Sequence, residues 1–238
     1  MKNKNIIYKN FIQSEYLNSK LIKNLKINFD KNLKEIANYL SFRKDSLHTL
    51  SEKFKLNFKI KDLNKFKKYK TVAIIGMGGS IHGAEAIYFF LKKKIKKDFF
   101  FFNDLDKDKI EKFQNEKNLE KVLFIVISKS GTTIETLSNL LAFKVVKKKS
   151  QNIIIISEKS NNPLYLLAQK MKLFHIEHKK YISGRYSVFS ESGMLPAHLM
   201  GINIKMLKKN LLIHLKKSNK SFLKDSSIKL SNILKKNN

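Results

Sequence analysis

The sequence predicts an α/β fold in which helices cover both faces of a parallel β-sheet. Continuously apolar runs alternate with helix-like patterns, and a run without polar alternation is typical of a strand buried on both faces. This order of strands and helices indicates repeated strand–helix–strand units. The five apolar runs lie at residues 72–75, 99–102, 122–127, 153–156 and 173–176, and the helical patterns lie near residues 81–93, 107–117, 133–147 and 163–171.

The 238-residue chain divides into three predicted regions. Residues 1–68 contain neither glycine nor proline and predict Lys-rich helices, with apolar residues at helical spacing that include Leu47, Leu50 and Phe54. Residues 69–205 contain all the predicted strands, and we interpret the four phenylalanines at residues 99–102 as a central strand. Residues 206–238 predict a polar, helical linker or tail.

The formal net charge of +30 raises the question of nucleic-acid binding, but its distribution argues against a specific site. Lysine and asparagine are abundant beside isoleucine and phenylalanine, as A/T-rich codons favour, and the lysines are scattered through every segment. No zinc-finger or aromatic RNA-binding pattern accompanies them. We therefore expect only weak, salt-sensitive association with nucleic acid and no specific recognition of it.

The absence of cysteine excludes disulfides and cysteine-ligated metals and fits a reducing compartment. No apolar run approaches the roughly 18 residues of a membrane-spanning helix. The first residues also lack the apolar centre of a signal peptide. The sequence therefore predicts a cytoplasmic protein with no membrane partner.

Residues 76–80, which we call the glycine loop, follow the first predicted strand with the sequence Gly-Met-Gly-Gly-Ser. A dinucleotide-binding loop is a weak match: Asp104 follows the next strand as required, but Ile81 occupies the position of the third glycine. A P-loop is a weaker match, because Ala84 and Glu85 replace the required lysine and hydroxyl residue.

Residues 128–133, which we call the hydroxyl loop, follow the third predicted strand and precede a helix. Hydroxyls and backbone N–H groups at a helix N-terminus suit an anion, and a phosphate monoester offers three oxygens to such donors. A helix N-cap would explain one hydroxyl and not all of them. Since the carboxyl ends of parallel strands meet at one edge of a sheet, both loops are expected to converge on a small phosphorylated ligand. The four hydroxyl residues are Ser128, Ser130, Thr132 and Thr133.

Only two of the 49 basic residues are arginines, Arg43 and Arg185. An arginine retained in a chain that otherwise uses lysine indicates a need for a planar, permanently charged group. Arg185 stands in the sequence Ser-Gly-Arg-Tyr-Ser at residues 183–187, which we call the arginine loop. We therefore predict a functional role for Arg185 and an ordinary surface position for Arg43.

Together, these segments resemble the glucose-6-phosphate isomerase family. The matching motifs are Gly-Met-Gly-Gly-Ser at residues 76–80, Ser-Lys-Ser-Gly-Thr-Thr-Ile-Glu-Thr at 128–136, and Ser-Gly-Arg-Tyr-Ser-Val-Phe-Ser-Glu-Ser-Gly-Met-Leu-Pro at 183–196. The resemblance implies the sugar isomerase (SIS) fold, a flavodoxin-like parallel sheet flanked by helices, with a helical N-terminal extension. It also implies a glycolytic and gluconeogenic isomerase that interconverts glucose 6-phosphate and fructose 6-phosphate without a metal or an organic cofactor.

Residue by residue, the resemblance implies a phosphate site beside one catalytic cation. Arg185 and Gly184 would lie near the reacting carbons of the sugar. Lys129 would add charge to the substrate site, and Glu135 would support the hydroxyl loop without touching substrate. The implied phosphate-binding residues are Gly79, Ser80, Ser128, Ser130 and Thr133.

A catalytic base is missing from the matched motifs. In the family, the glutamate base and the histidine and lysine that assist ring opening belong to a second SIS domain, and the intact enzyme is a homodimer. We therefore expect a fragment or a truncated gene product that binds sugar phosphate and is inactive alone. The alternative is a non-catalytic, sugar-phosphate-binding SIS module with a regulatory role.

The histidines offer no substitute for the missing base or for a metal site. His82 and His198 lie off the family's catalytic pattern. His175 and His178 are three residues apart at a predicted strand end, but no third ligand is evident, so we expect no metal site there.

Overall fold

The computed structural model describes residues 11–13, 16–209 and 220–236. The helices predicted for residues 1–68 and 206–238 extend in part over residues 1–10, 14–15, 210–219 and 237–238, which lie outside the described residues.

A single five-stranded sheet organises the larger part of the molecule, and all of its strand pairs are parallel. The strand order is β2-β1-β3-β4-β5, which is the flavodoxin-like order. The predicted fold class is therefore confirmed. The strands are β1 (Thr71–Gly76), β2 (Asp98–Phe102), β3 (Val122–Ile127), β4 (Ile153–Ser157) and β5 (Phe174–Glu177).

Helices connect the strands and cover the sheet. None of the helices within the described ranges is both long and apolar enough to cross a membrane. Within the described ranges, the α-helices of both parts of the molecule are α1 (Ser19–Tyr39), α2 (Gly79–Leu91), α3 (Lys107–Glu116), α4 (Ile134–Ala142), α5 (Pro163–Met171), α6 (Glu191–Leu199), α7 (Ile204–Lys209) and α8 (Lys220–Lys236).

Alternate side chains of the strands build two cores, one on each face of the sheet. On one face, Ile74 and Ile125 pack in a cluster with residues of α2 and α6. On the other face, Ile75 and Val126 pack with residues of α3, α4 and α5. Successive side chains of a strand point to opposite faces, so burial on both faces requires the continuously apolar strands that the sequence shows.

The chain forms two compact units. Residues 44–208 make up one unit, which contains the sheet. The other comprises residues 1–43 and 209–238, in whose described part α1 packs against α8 through buried Leu25, Leu33 and Ile228. The bounds of these two units differ from the bounds of the three predicted regions. The bounds of the predicted regions therefore stay a prediction.

The predicted helices between residues 44 and 68 are wrong in type. This segment contains two short 3-10 helices, Ser46–Leu50 and Ile60–Phe66. Asp45 caps the first by accepting from Leu47 N, and the extended conformation of Ser51 ends it at Leu50. The second places Leu63 and Phe66 in the core on the α2 face of the sheet. Apolar spacing of three fits a 3-10 turn as well as an α-helix.

Two further predictions need correction. The strand with the four phenylalanines, β2, is an edge strand and not a central one. Its phenylalanines are buried or partly buried because helices cover both of its faces, so their burial does not require a central position in the sheet. The helix predicted for residues 133–147 ends at Ala142, since Phe143 packs against other phenylalanines and Lys144 has a left-handed φ of 53°.

Candidate functional site

The glycine loop brings the carboxyl ends of β1 and β3 into close contact. Gly76 is the last residue of β1 and is paired with Ile127, the last residue of β3. A Cβ atom at Gly76 would lie 2.8 Å from the carbonyl oxygen of Ile127. Gly78 turns the chain into α2 with a φ of 52°, a backbone conformation that suits glycine. From β1 the chain passes to β2 on one side and later to β3 on the other. The space beyond the carboxyl ends of β1 and β3, which we call the β1–β3 crevice, is therefore the topological switch point of the sheet.

The hydroxyl loop begins directly after β3, beside this crevice. Ser128 is buried, and its hydroxyl lies 2.9 Å from the hydroxyl of Thr133. The same Ser128 oxygen accepts a hydrogen bond of 3.1 Å from Gly131 N, in a turn where Gly131 has a φ of 68°. Thr132 donates its hydroxyl to Ser130 at 2.9 Å. The four hydroxyls therefore form two hydrogen-bonded pairs within one loop.

Helix capping does not account for these hydroxyls. Thr133 occupies the N-cap position of α4, but its side chain makes no capping hydrogen bond and contacts Ser128 instead. Glu135 lies in the first turn of α4, where a carboxylate interacts favourably with the helix dipole. Within the described residues, Glu135 makes no hydrogen bond to the hydroxyl loop, so its predicted supporting role remains a prediction.

The arginine loop packs directly on the start of α2. Gly184, Arg185 and Tyr186 form a single 3-10 turn, and Ser187 donates its hydroxyl to the carbonyls of Gly184, at 2.7 Å, and Gly79, at 3.3 Å. A Cβ atom at Gly79 would overlap the backbone of Gly184. The glycine at residue 79 therefore allows the backbones of the glycine loop and the arginine loop to touch.

Arg185 is exposed and borders an open cavity of about 650 Å³. Leu47, Leu50 and Phe189 form part of its apolar wall. In the described part of the chain Arg185 makes no ion pair, so its guanidinium is available to an anion. The structure thus brings the loops with Gly79, Ser80, Ser128, Ser130, Thr133, Gly184 and Arg185 to one edge of the sheet.

Lys129 differs from the other predicted site residues. Its ammonium lies 3.5 Å from the carboxylate of Glu158, and both side chains are partly buried. Glu158 follows β4, which lies on the opposite side of β3 from β1. The ammonium therefore lies beside the loop that follows β4.

Two acidic residues near the site were missed by the sequence analysis. Glu191, the first residue of α6, is fully buried; its Oε1 accepts from Asn57 N at 2.9 Å and lies 3.5 Å from Lys179 Nζ. The sequence could have revealed Glu191, because it is the one charged residue among the small, apolar and hydroxyl residues at 186–197. The pairing of Glu158 with Lys129 depends on the order of the strands, which no local pattern reveals.

The histidines beside the sheet make local structural contacts. His175 lies 3.0 Å from the Ser157 hydroxyl, and buried His178 lies 3.2 Å from the Lys179 carbonyl. Burial is the main cause that lowers the pKa of both histidines, and nearby lysines add to it. His82 pairs with Glu85 at 3.2 Å on α2. Among the described residues, no three His, Asp or Glu side chains are grouped as metal ligands would be.

Solved structures share this architecture. A crystal structure of a hypothetical protein from Thermus thermophilus matches 92% of this chain and 56% of its own, with a TM-score of 0.67 and 18% identity. The crystal structure of a glucose-6-phosphate isomerase from Chlamydia trachomatis matches 82% of this chain and 45% of its own, with a TM-score of 0.60 and 19% identity. At these identities the likeness concerns the fold alone.

Sequence relatives point to one family. The probable glucose-6-phosphate isomerase of Methanococcus maripaludis is 31% identical over 155 residues, covering 61% of this chain and 35% of the relative. The glucose-6-phosphate isomerase of Treponema denticola is 38% identical over 138 residues, covering 53% of this chain and 25% of the relative. The aligned part of the chain thus spans well under half the length of these relatives. The family model described as phosphoglucose isomerase matches residues 23–227, most of the chain, and this protein therefore belongs to the phosphoglucose isomerase family.

Proposed function

We propose that this chain forms the phosphate-binding part of an enzyme that interconverts glucose 6-phosphate and fructose 6-phosphate. The observation that supports this most directly is the convergence of the glycine, hydroxyl and arginine loops at the β1–β3 switch point. The relatives named glucose-6-phosphate isomerase support the choice of substrate. We further propose residues 69–205 as its SIS domain and a cytoplasmic, glycolytic setting.

In this proposal the hydroxyl loop and the start of α2 bind the phosphate. Backbone N–H groups at a helix N-terminus and hydroxyl donors stabilise a phosphate dianion through charge-assisted hydrogen bonds. Ser128 and Thr133 already form a hydrogen-bonded pair, so the loop is organised before the ligand arrives. Ser80, at the start of α2, and Ser130 would add further donors. Gly79 would allow the substrate to approach the backbone closely.

Arg185 would act on the reacting carbons. Aldose–ketose isomerisation moves a proton between C1 and C2 and passes through an enediolate, which a cation can stabilise. The reaction causes no net oxidation of the substrate, so it requires no redox cofactor. Arg185 is exposed beside Gly184 at the edge of the site, which suits this role.

The base that moves the proton is proposed to come from a second SIS domain outside this chain, with a homodimer as the intact enzyme. A positioned base contributes about 10²–10⁴-fold to such reactions. The chain of residues 1–238 should therefore bind glucose 6-phosphate at physiological salt and produce fructose 6-phosphate only at the buffer rate.

Calorimetric titration and a turnover assay on the same preparation test this proposal. Glucose is the control ligand, since it lacks the phosphate and should not bind. If the folded protein does not bind glucose 6-phosphate, the proposed function is wrong. Binding with no turnover by the intact, second-domain-containing protein would favour a non-catalytic sugar-phosphate-binding module. Robust turnover by residues 1–238 alone would refute the proposal that a second domain supplies the base, and would point to Glu135 or a histidine as candidates for that role.

A further inference from the structure

The ammonium of Lys129 is the cationic group nearest in sequence to the proposed phosphate donors, yet it is paired with Glu158. The Nζ–Oε1 distance is 3.5 Å, and the two side chains expose 29% and 19% of their surface. Partial burial reduces screening by solvent, so this pair interacts more strongly than an exposed one. Lys129 therefore offers the hydroxyl loop much less positive charge than its place in the sequence predicts.

The pairing is fixed by the way the loops after β3 and β4 are joined. Glu158 N donates to the carbonyl of Lys129 at 2.9 Å, so the two residues are linked through both backbone and side chains. Leu164 N donates to the carbonyl of Gly131 at 3.2 Å. These bonds join the loops after β3 and β4 through their backbones and keep Glu158 beside Lys129.

Asn162 strengthens this junction. Its amide nitrogen donates to the Glu158 carbonyl at 2.9 Å, and its Oδ1 accepts from Tyr165 N at 2.9 Å, which caps α5. A Cβ atom at Gly131 would overlap the Asn162 side chain, so the two loops also touch here. A change in the Glu158 side chain should therefore leave the loop backbone in place.

We propose that Glu158 is a specificity-determining residue, which holds Lys129 on the β4 side and makes the site bind phosphate through hydroxyls and backbone N–H groups. This inference rests on the proposed function of the site. A neutral Lys129–Glu158 pair favours ligands whose oxygens match the donors of the hydroxyl loop over anions attracted by charge alone. It also makes binding less sensitive to ionic strength than a free lysine would.

The test is Glu158→Gln, which keeps the size and the backbone bonds of the residue and removes its charge. Glu177→Gln is the matched control, because Glu177 is exposed at the end of β5 on the same sheet edge and makes no ion pair within the described residues. Titration with glucose 6-phosphate and with inorganic sulfate is carried out at low and physiological salt. Thermal unfolding of each variant verifies that it is folded.

Glu158→Gln should tighten glucose 6-phosphate binding by about threefold to tenfold at low salt, with a larger gain for sulfate and a steeper salt dependence. Lys129→Gln should weaken binding less in the unchanged chain than in the Glu158→Gln background, since only the latter frees the ammonium. Unchanged or weaker binding by folded Glu158→Gln, or an equal effect of Lys129→Gln in both backgrounds, would overturn the inference. Failure of the unchanged chain to bind would instead reject the proposed function.

Discussion

Removal of the Ser128–Thr133 hydroxyl pair is the most direct test of the proposed phosphate site. The double substitution Ser128→Ala and Thr133→Ala deletes both oxygens of the 2.9 Å contact. It leaves the backbone of the hydroxyl loop intact, because Gly131 N also donates to the Ser128 carbonyl at 3.1 Å. The change therefore removes donors to a ligand without removing the turn that presents them.

The expected loss of affinity follows from the donors removed. A hydrogen bond to a charged group contributes about 1.5–3 kcal/mol, and two bonds from coupled hydroxyls are not additive. We expect glucose 6-phosphate binding to weaken by about 2–4 kcal/mol, or about 30- to 700-fold in Kd. Ser128 is buried, so the free energy of unfolding should also fall, by about 1 kcal/mol.

Calorimetric titration measures the affinity, and thermal unfolding measures the stability. At this chain length a loss of 1 kcal/mol lowers Tm by about 2–4 °C. Ser138→Ala is the control, since Ser138 is an exposed hydroxyl on α4 away from the loop, and it should change neither quantity. If the folded double variant keeps its affinity, the hydroxyls only stabilise the loop and the proposed phosphate site is wrong.

Two further predictions concern the arginine loop and the histidines. In an intact enzyme, Arg185→Lys should lower kcat more than it raises KM, because the planar guanidinium would act on charge that develops in the enediolate; a kcat within about twofold of the parent would remove Arg185 from the chemistry. Because burial lowers the pKa of His175 and His178, the unfolded chain binds protons more readily than the native one below the ordinary histidine pKa of 6.5. Tm should thus fall as pH drops from 7 toward the lowered native pKa values, and His178→Asn should flatten that decline; a Tm independent of pH would contradict this.

Much of the fold could be predicted because the strands are continuously apolar, and a sheet that is covered on both faces requires such strands. Burial of all six residues of β3 is an example. The apolar pattern does not reveal where a strand lies within the sheet. The edge strand β2 is apolar like the central strands, because helices cover both of its faces as well. Helix α6 was not predicted: its buried residues lie all around the helix, so it lacks the polar face that reveals a helix, and Pro196 stands inside it.

The loops of the candidate site were predicted from residue type, whereas their side-chain partners were not. Gly, Ser and Thr after an apolar run indicate an anion-binding loop wherever the strand lies. The partner of Lys129 depends instead on which strand neighbours β3, and Glu158 lies 29 residues further along the chain. Pairing across neighbouring strands is a tertiary property that helix and strand periods do not contain.

The arginine loop shows how a cation can be positioned and yet remain available. The loop is held through its backbone: Ser187 donates to the carbonyls of Gly184 and Gly79, and the carbonyl of Ser187 accepts from the hydroxyls of Ser190 and Ser192. A carboxylate partner could also hold Arg185 in place, but it would neutralise the charge that an enediolate needs. Backbone contacts between glycines fix the position of the loop and leave the charge of the Arg185 guanidinium unneutralised. The glycines and serines around Arg185 are therefore part of its proposed function, although none of them is charged.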